Sequence, residues 1–336
     1  MAGRRTNLAL FGLLGVAFAT GALAFGVGTE WANRAVVVAH GLAGLAIVAL
    51  APWKSLIARR GLRRERAGRA ASLVFSVLVV LALAFGFLHS TGLAVRLGPV
   101  SAMQLHVGAA LVALPLAGWH VLARRVPARP ADLSRRNLLR GGALLGMAGL
   151  AYASLEGLMR AGSWPGAERR FTGSHETGSF RPSAMPVTQW LDDTVPQMEP
   201  DGWRLEVGAS AGRRSWTYQE VNAFADRLQA TLDCTGGWFA TQEWEGALLE
   251  RLLPPGAQGG SLLVRSVTGY ARRLPVGDLP HLLLATRVGG EPLSAGHGFP
   301  ARLVVPGRRG FWWVKWVVEV VVDDRPWWAQ LPFPLT

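Results

Sequence analysis

The sequence predicts an N-terminal all-α transmembrane helical bundle of about five spans, followed by an α+β domain with mixed sheets. Three observations predict it. Five long apolar runs occupy the first 165 residues, and nearly all the basic residues of that half sit in alternate loops between them. After residue 165 the texture changes to short β-rich runs separated by Pro, Gly, Ser and Thr. Composition agrees, because 50% hydrophobic and only 17% charged residues exceed what a soluble surface tolerates. The net charge of +13 lies in short clusters flanking apolar runs, which excludes a nucleic-acid-binding face as its explanation.

The runs are Leu8–Val27, Ala35–Pro52, Leu73–His89, Ala102–Leu122 and Gly141–Leu158. Each approaches the roughly 17–25 residues that cross a bilayer core as a helix, and in lipid only a helix satisfies its own backbone. Arg4 and Arg5 precede the first run. Lys54, Arg59, Arg60, Arg63, Arg64, Arg66 and Arg69 fill the second loop, and Arg124, Arg125, Arg129, Arg135, Arg136 and Arg140 fill the fourth. The alternate loops carry Arg34 and Arg96. By the positive-inside rule the N-terminus is cytoplasmic, and everything after about Gly162 lies outside the cytoplasmic membrane of a bacterium. The first run lacks an A-x-A cleavage site and more spans follow it, so it reads as a span rather than a signal peptide. Ser134-Arg135-Arg136-Asn137-Leu138-Leu139-Arg140, before the fifth span, reads equally as a twin-arginine export signal or as one more positive-inside cluster.

Residues 163–202 read as an extended segment over a domain surface. Trp203–Val207 alternates like a half-buried strand, and Thr217 to Leu228 has helical spacing, with Thr217 and Glu220 as a capping box. Leu262–Ser266, Ala301–Val305 and the β-branched run Val317–Val322 read as strands. Strands and helices mixed without a βαβ rhythm indicate an α+β fold.

Cys234 is the one cysteine of the chain, in Leu232-Asp233-Cys234-Thr235-Gly236-Gly237-Trp238. It cannot close an intramolecular disulfide, and the alternatives are a small buried hydrophobe or a thiolate at a strand end that opens into a loop. Downstream come Gly296-His297-Gly298-Phe299-Pro300-Ala301-Arg302-Leu303-Val304-Val305-Pro306 and Gly310-Phe311-Trp312-Trp313-Val314-Lys315-Trp316. Together these blocks resemble the molybdopterin-binding domain of the sulfite oxidase family, from about Phe171 to the C-terminus. Within the family the likeness is greatest to the catalytic subunits of bacterial periplasmic methionine sulfoxide reductases. The resemblance implies two-electron oxygen-atom transfer at a molybdenum held by the Cys234 thiolate. It implies pterin contacts at His297, Arg302 and Lys315, with Thr268 and His175 as further cofactor-binding candidates. For these last two, a turn-stabilising hydroxyl and an exposed loop histidine are the alternatives. Where animal sulfite oxidases and plant nitrate reductases follow the cysteine with A-G-N-R-R, this chain has Thr235-Gly236-Gly237-Trp238-Phe239, which argues against sulfite or nitrate as substrate. A domain loaded with its cofactor in the cytoplasm must be exported folded, which favours the twin-arginine reading of Ser134–Arg140. The stretch after Trp327-Trp328 is too short for the immunoglobulin-like dimerisation domain of larger family members, so a dimer built that way is not expected.

Ionisable residues inside spans are costly and mark function. His106 and His120 are fourteen residues apart, facing one way along a helix and separated by roughly 21 Å. The run from His40 to Gly44, Pro52-Trp53-Lys54, and His106 to His120 resemble four-helix cytochrome b anchors. Gly44, Gly108 and Gly118 leave room for a flat macrocycle. His40 with His106 is the expected ligand pair of one outer haem b, with His89 as the alternative partner. Lys54 stands fourteen residues after His40, so His120 at the cytoplasmic end lacks a visible second histidine. Histidines acting as interhelical hydrogen-bond donors are the structural alternative.

The expected organisation is a four-helix transmembrane cytochrome b-like domain over residues 1–126, the twin-arginine-like stretch with the fifth helix over 127–162, and an extracytoplasmic molybdopterin-binding oxidoreductase domain over 163–336. Electrons would pass between the membrane quinone pool and molybdenum, with a small-molecule or protein sulfoxide as the favoured substrate. The rivals are a molybdenum enzyme on a plain tether with a separate redox partner, and a metal-free tethered binding module. Neither a P-loop nor a G-x-S-x-G elbow is present.

Overall fold

The computed structural model describes residues 2–62, 68–123, 126–127, 129–189, 193–209 and 212–333. Five long helices form where the apolar runs lie: α1 (Ala2–Gly26), α2 (Glu30–Leu62), α3 (Arg69–Thr91), α4 (Ala102–Ala123) and α5 (Arg135–Ala161). All five are long and apolar enough to cross a membrane. α2, α3 and α5 outrun their apolar runs at both ends, and α1 begins six residues before its own, at Ala2; arginines in these extensions are good helix formers. Pro52 and Pro115 lie inside α2 and α4 without ending them. A two-residue hairpin, β1 (Arg96–Leu97) with β2 (Val100–Ser101), precedes α4. Arg63, Arg64, Arg66, Arg124 and Arg125 of the basic loops lie outside the described residues. Arg4 pairs with Asp132 at 2.6 Å.

The chain divides into two compact units, one of Met1–Phe25 with Glu30–His175, the other of Gly26–Thr29 with Glu176–Thr336. In the helical unit α3 packs on α4 and α2 on α5. Small residues make the close approaches. A Cβ at Gly41 would lie 2.8 Å from the Tyr152 ring, and Asn33, fully buried, donates to the Ala24 carbonyl at 3.1 Å.

The second unit carries two sheets. One holds β3 (His175–Glu176), β6 (Asp226–Cys234), β7 (Trp238–Leu248), β10 (Leu283–Val288), β11 (Glu291–Pro292) and β12 (Arg302–Val304). Here β6 and β7 form one long antiparallel hairpin running from Asp226↔Gly246 to Cys234↔Trp238, and β10 pairs with β7, β11 and β12. The other sheet has the order β5 (Gly212–Thr217), β4 (Arg204–Ala209), β13 (Val317–Asp323), β8 (Ser261–Ser266), β9 (Ala271–Pro275). Its β13 runs parallel to β4 and antiparallel to β8, so the mixed sheets expected from the sequence are present. Between the sheets lies a core of Trp203, Leu205, Trp244, Leu262, Val264, Leu283, Leu303, Val314 and Val320. Buried indoles keep their N–H satisfied: Trp203 donates to Val317 O at 3.0 Å and Trp244 to Ala230 O at 3.1 Å.

One element departs from expectation. The helix predicted over Thr217 to Leu228 stops after one turn, as α6 (Tyr218–Asn222), and β6 starts at Asp226. The Thr217/Glu220 capping box does form, with Glu220 N–H donating to Thr217 Oγ1 at 3.2 Å and Thr217 N–H to the Glu220 carboxylate at 2.7 Å. Beyond that turn, cross-strand pairing with β7 outweighs a local helical period. A second one-turn helix, α7 (Leu249–Leu252), follows β7.

Candidate functional site

Cys234 is the last residue of β6. The chain turns through Thr235-Gly236-Gly237, Gly237 takes φ 91°, and its N–H closes the turn on the Cys234 carbonyl at 3.1 Å. Gly236 N–H points at Cys234 Sγ from 3.3 Å. Burial raises the thiol above its ordinary range, while the Gly236 N–H, Arg309 and Lys315 pull it down. The thiol is thus set among donors and cations that favour the thiolate once a soft metal compensates for desolvation. A cleft opens over the sulfur, lined by Thr188, Gln189, Asp193, Tyr270, Trp313 and Lys315 among others.

Lys315, in the long loop from β12 to β13, lines this cleft, and Arg302, the first residue of β12, lies buried near the thiol without lining it. Arg302 is 1% exposed and lies over the Trp244 and Trp313 rings at 5.1 and 5.5 Å. Its Nη1 donates to His297 O at 3.1 Å, its Nε is buried without a partner, and among the described residues no carboxylate pairs with it. Burial lowers it to about 9. A buried guanidinium with an orphaned donor, held among indoles, is a site built for an anion that the chain itself does not supply. Lys315 donates to Gly296 O at 2.7 Å, Thr188 O at 2.8 Å and Gln189 Oε1 at 3.1 Å, and burial, then Arg302, lowers it to about 7. Gln189 Nε2 is a second buried donor without a partner. Trp316, next to Lys315, has φ 51° and is pinned through its indole N–H to Ala295 O at 2.8 Å. Non-glycine residues rarely adopt this backbone, and its use beside the cleft aims Lys315 inward.

The other predicted site residues are placed differently. Both nitrogens of His297 are engaged within the chain. Met185 O can only accept, so Nε2 carries the proton and donates to it at 3.1 Å, and Nδ1 accepts from Ser294 Oγ at 2.8 Å. Burial, then Arg302, lowers His297 to about 4, so the ring is neutral. It braces the segment Met185–Gln189 over the cleft. Thr268 lies in the turn after β8, where its hydroxyl donates to Asp193 Oδ2 at 3.3 Å; Ser266, Asp193 and Tyr270 line the cleft and Thr268 does not. His175 belongs to the helical unit, where its Nε2–H donates to His89 O at 2.7 Å. Sequence reasoning missed Thr188, Gln189 and Asp193, which come from a stretch without periodicity. It also missed Arg309, which neighbours the quoted Gly310–Trp316 block. For Arg309 the basic pair Arg308-Arg309 directly before a cofactor block was a usable signal.

In the helical unit His40 and His106 meet with ring centroids 5.7 Å apart and planes at 89°. Each Nδ1–H donates to a backbone carbonyl, His40 to Ala17 O at 3.0 Å and His106 to Ala82 O at 2.7 Å, which leaves each Nε2 as the acceptor nitrogen. The two imidazoles thus meet edge to face, each with its Nδ1 oriented by a carbonyl. The glycines that admit these rings are Gly21 and Gly86, whose Cβ atoms would fall 3.3 Å from His40 and 2.9 Å from His106. Gly108 and Gly118 face open space, and Gly44 faces Leu83. His89 does not stand against His40 but against His175, with centroids 4.9 Å apart, and it donates from Nε2 to Gly173 O at 2.9 Å. His120 lies beside Ser72 and Phe75.

Residues 192–330 match the family model described as the oxidoreductase molybdopterin binding domain. The chain is 30% identical over 171 residues to mitochondrial sulfite oxidase of Rattus norvegicus, covering 39% of this chain and 31% of that protein. To the inducible NADH nitrate reductase 1 of Glycine max it is 28% identical over 212 residues, covering 46% and 23%. The chain therefore spans less than a third of the length of these curated relatives. Among solved structures, the sulfane dehydrogenase SoxCD from Paracoccus pantotrophus matches with a TM-score of 0.37 and 25% identity, covering 39% of this chain and 40% of that one.

Proposed function

With residues 192–330 a molybdopterin-binding oxidoreductase domain of the sulfite oxidase family, we propose that the chain is a membrane-bound enzyme transferring an oxygen atom to or from a small sulfoxide-type substrate outside the cytoplasm. The carrying observation is one cleft that gathers the lone thiol, the Lys315 ammonium and the Gln189 amide, whose Nε2 has no protein partner. Those residues fit the cofactor: Cys234 supplies the soft ligand for molybdenum, while Arg302, Lys315 and the Gln189 amide supply donors for a pterin and its phosphate. When bound, molybdenum cofactor supplies the two-electron oxygen-atom chemistry.

The chain's own residues do the rest. The hairpin turn directs Cys234 Sγ into the cleft, and Lys315, tied to Thr188 O and Gly296 O, joins the covering segment to the loop beneath it. The substrate side presents Thr188, Gln189, Asp193, Thr235 and Tyr270, hydroxyls, an amide and a carboxylate in place of paired arginines. A carboxylate at the rim disfavours sulfite and nitrate and suits a neutral oxide, in line with the likeness to bacterial methionine sulfoxide reductases.

The five apolar helices support membrane insertion with the oxidoreductase domain outside, delivered folded through Ser134–Arg140. The domains so proposed keep residues 1–126, 127–162 and 163–336. His40 and His106 would hold a haem b that exchanges electrons with the quinone pool. The test is molybdenum, pterin and optical analysis of the detergent-purified chain. Molybdenum and pterin in equal amounts with a b-type spectrum are expected, with His106→Ala bleaching the haem and abolishing quinol-driven turnover while an artificial donor still drives it. Molybdenum without haem reduces the helices to a tether, and absence of molybdenum overturns the enzyme reading.

A further inference from the structure

Cys234 stands at the turn end of a long hairpin, the last strand residue before Thr235-Gly236-Gly237. Besides that turn, the pair Arg309-Gly310, from a distant part of the chain, holds it. Arg309 and Asp233 form a buried ion pair, each 4% exposed, between the Arg309 Nη1 and the Asp233 carboxylate. The two residues also pair in parallel through their backbones as an isolated β-bridge. The second guanidinium nitrogen, Nη2, reaches past the carboxylate to the Cys234 carbonyl at 3.4 Å. The next residue, Gly310, packs flat on the same spot: a Cβ there would lie 3.2 Å from both Asp233 O and Cys234 Cα. Gly310 also lines the cleft. Two consecutive residues of one loop thus clasp the two consecutive residues that end in the sulfur.

A buried charge pair is a costly way to join two loops, since well-packed apolar residues serve stability as well or better. Its advantage is direction. The planar fork of an arginine fixes both the carboxylate and the carbonyl behind it, which an apolar contact cannot do. The fork ends on the Cys234 carbonyl, so it sets the backbone torsions from which the side chain departs.

We propose that Asp233 and Arg309 are positioning residues for the metal ligand: their ion pair, with Gly310, fixes the backbone from which the Cys234 side chain departs. This rests on Cys234 being the molybdenum ligand. The pair touches neither substrate nor cofactor and acts through the cysteine.

The test compares three forms of the full-length, cofactor-loaded protein: wild type, the charge-free pair Asp233→Leu/Arg309→Met, and Arg309→Lys. The double variant replaces both charges by side chains of similar volume, so folding is retained where a single removal would strand a buried charge. Arg309→Lys keeps a charge but loses the fork. The readouts are molybdenum and pterin content, the electron paramagnetic resonance spectrum of the half-reduced metal, and its reduction potential. The expected result is unchanged cofactor content in both variants, with altered g-values and broadened lines because the Cys–metal geometry is no longer unique. The potential shifts in the double variant and stays close to wild type in Arg309→Lys, and turnover with an artificial donor drops about tenfold in the double variant. Wild-type spectra and potential in Arg309→Lys and the double variant overturn the proposal, as does a double variant that fails to fold beside an Arg309→Lys indistinguishable from wild type. Absence of molybdenum from the wild type overturns the reading of Cys234 on which it rests, a different outcome from either.

Discussion

The two units of this chain bury opposite things. In the sheet unit Trp244, Leu205, Leu283 and Val320 are fully buried, and the arginines at the surface, such as Arg265 and Arg227, meet glutamates there. In the helical unit the exposed positions are apolar, with Leu150 at 72%, Val80 at 63% and Leu111 at 62%, while His89, Asn33 and Thr91 are buried. The sheet unit has the pattern expected in water. The helical unit has the pattern compatible with a hydrocarbon surrounding, where polar groups turn inward and small residues let helices approach.

The substitution with the largest expected effect shows how much of the activity sits in the sheet unit. Cys234→Ser replaces a soft thiolate by a weakly acidic hydroxyl at nearly constant volume. Turnover falls to background, while circular dichroism and membrane association stay as in the wild type. Activity retained in the serine variant would remove the metal from Cys234.

Matched lysines probe the two solvents directly. Val267, 47% exposed in the sheet unit, and Leu150 are both outward-facing apolar side chains. Val267→Lys changes stability by less than about 0.5 kcal/mol, as at an ordinary wet surface. Leu150→Lys costs roughly 3 kcal/mol of insertion free energy, read as the fraction of chains integrated into membranes. Equal tolerance at the two positions would break the comparison.

The smallest effect is the pH dependence contributed by His297 of the sheet unit. His297 sits at about 4 in the fold against 6.5 unfolded, so between those values the unfolded chain binds the extra proton. Stability is therefore full above pH 6.5 and declines as pH falls toward 4, by about 2 kcal/mol from pH 8 to pH 5. His297→Gln flattens that slope in denaturant titrations of the whole protein, followed by tryptophan fluorescence. An unchanged slope would assign the acid sensitivity to other groups.

Much was legible without coordinates. Five helices were readable because runs of seventeen or more apolar residues have no soluble alternative, and Val317–Val322 because β-branched residues favour a buried strand. The capping box at Thr217 and Glu220 was readable because it is local, but the helix it opens was drawn six residues too long. Local spacing could not show that Asp226–Leu228 pairs with Trp244–Gly246, eighteen residues on.

By itself, then, the sequence determined the hydropathy of each half, the lone thiol and the motif blocks that follow it, because hydropathy, thiol chemistry and short motifs are properties of neighbouring residues. Only the tertiary structure decided which groups meet. It turned His297 inward onto Met185 and Ser294, set His89 against His175 and His40 against His106, and left Arg302 with an unmatched donor. It also brought Arg309 across seventy-six residues of chain to Asp233. Such pairings depend on the register of strands and the crossing of helices, and those are set by how whole elements pack rather than by any one stretch of chain.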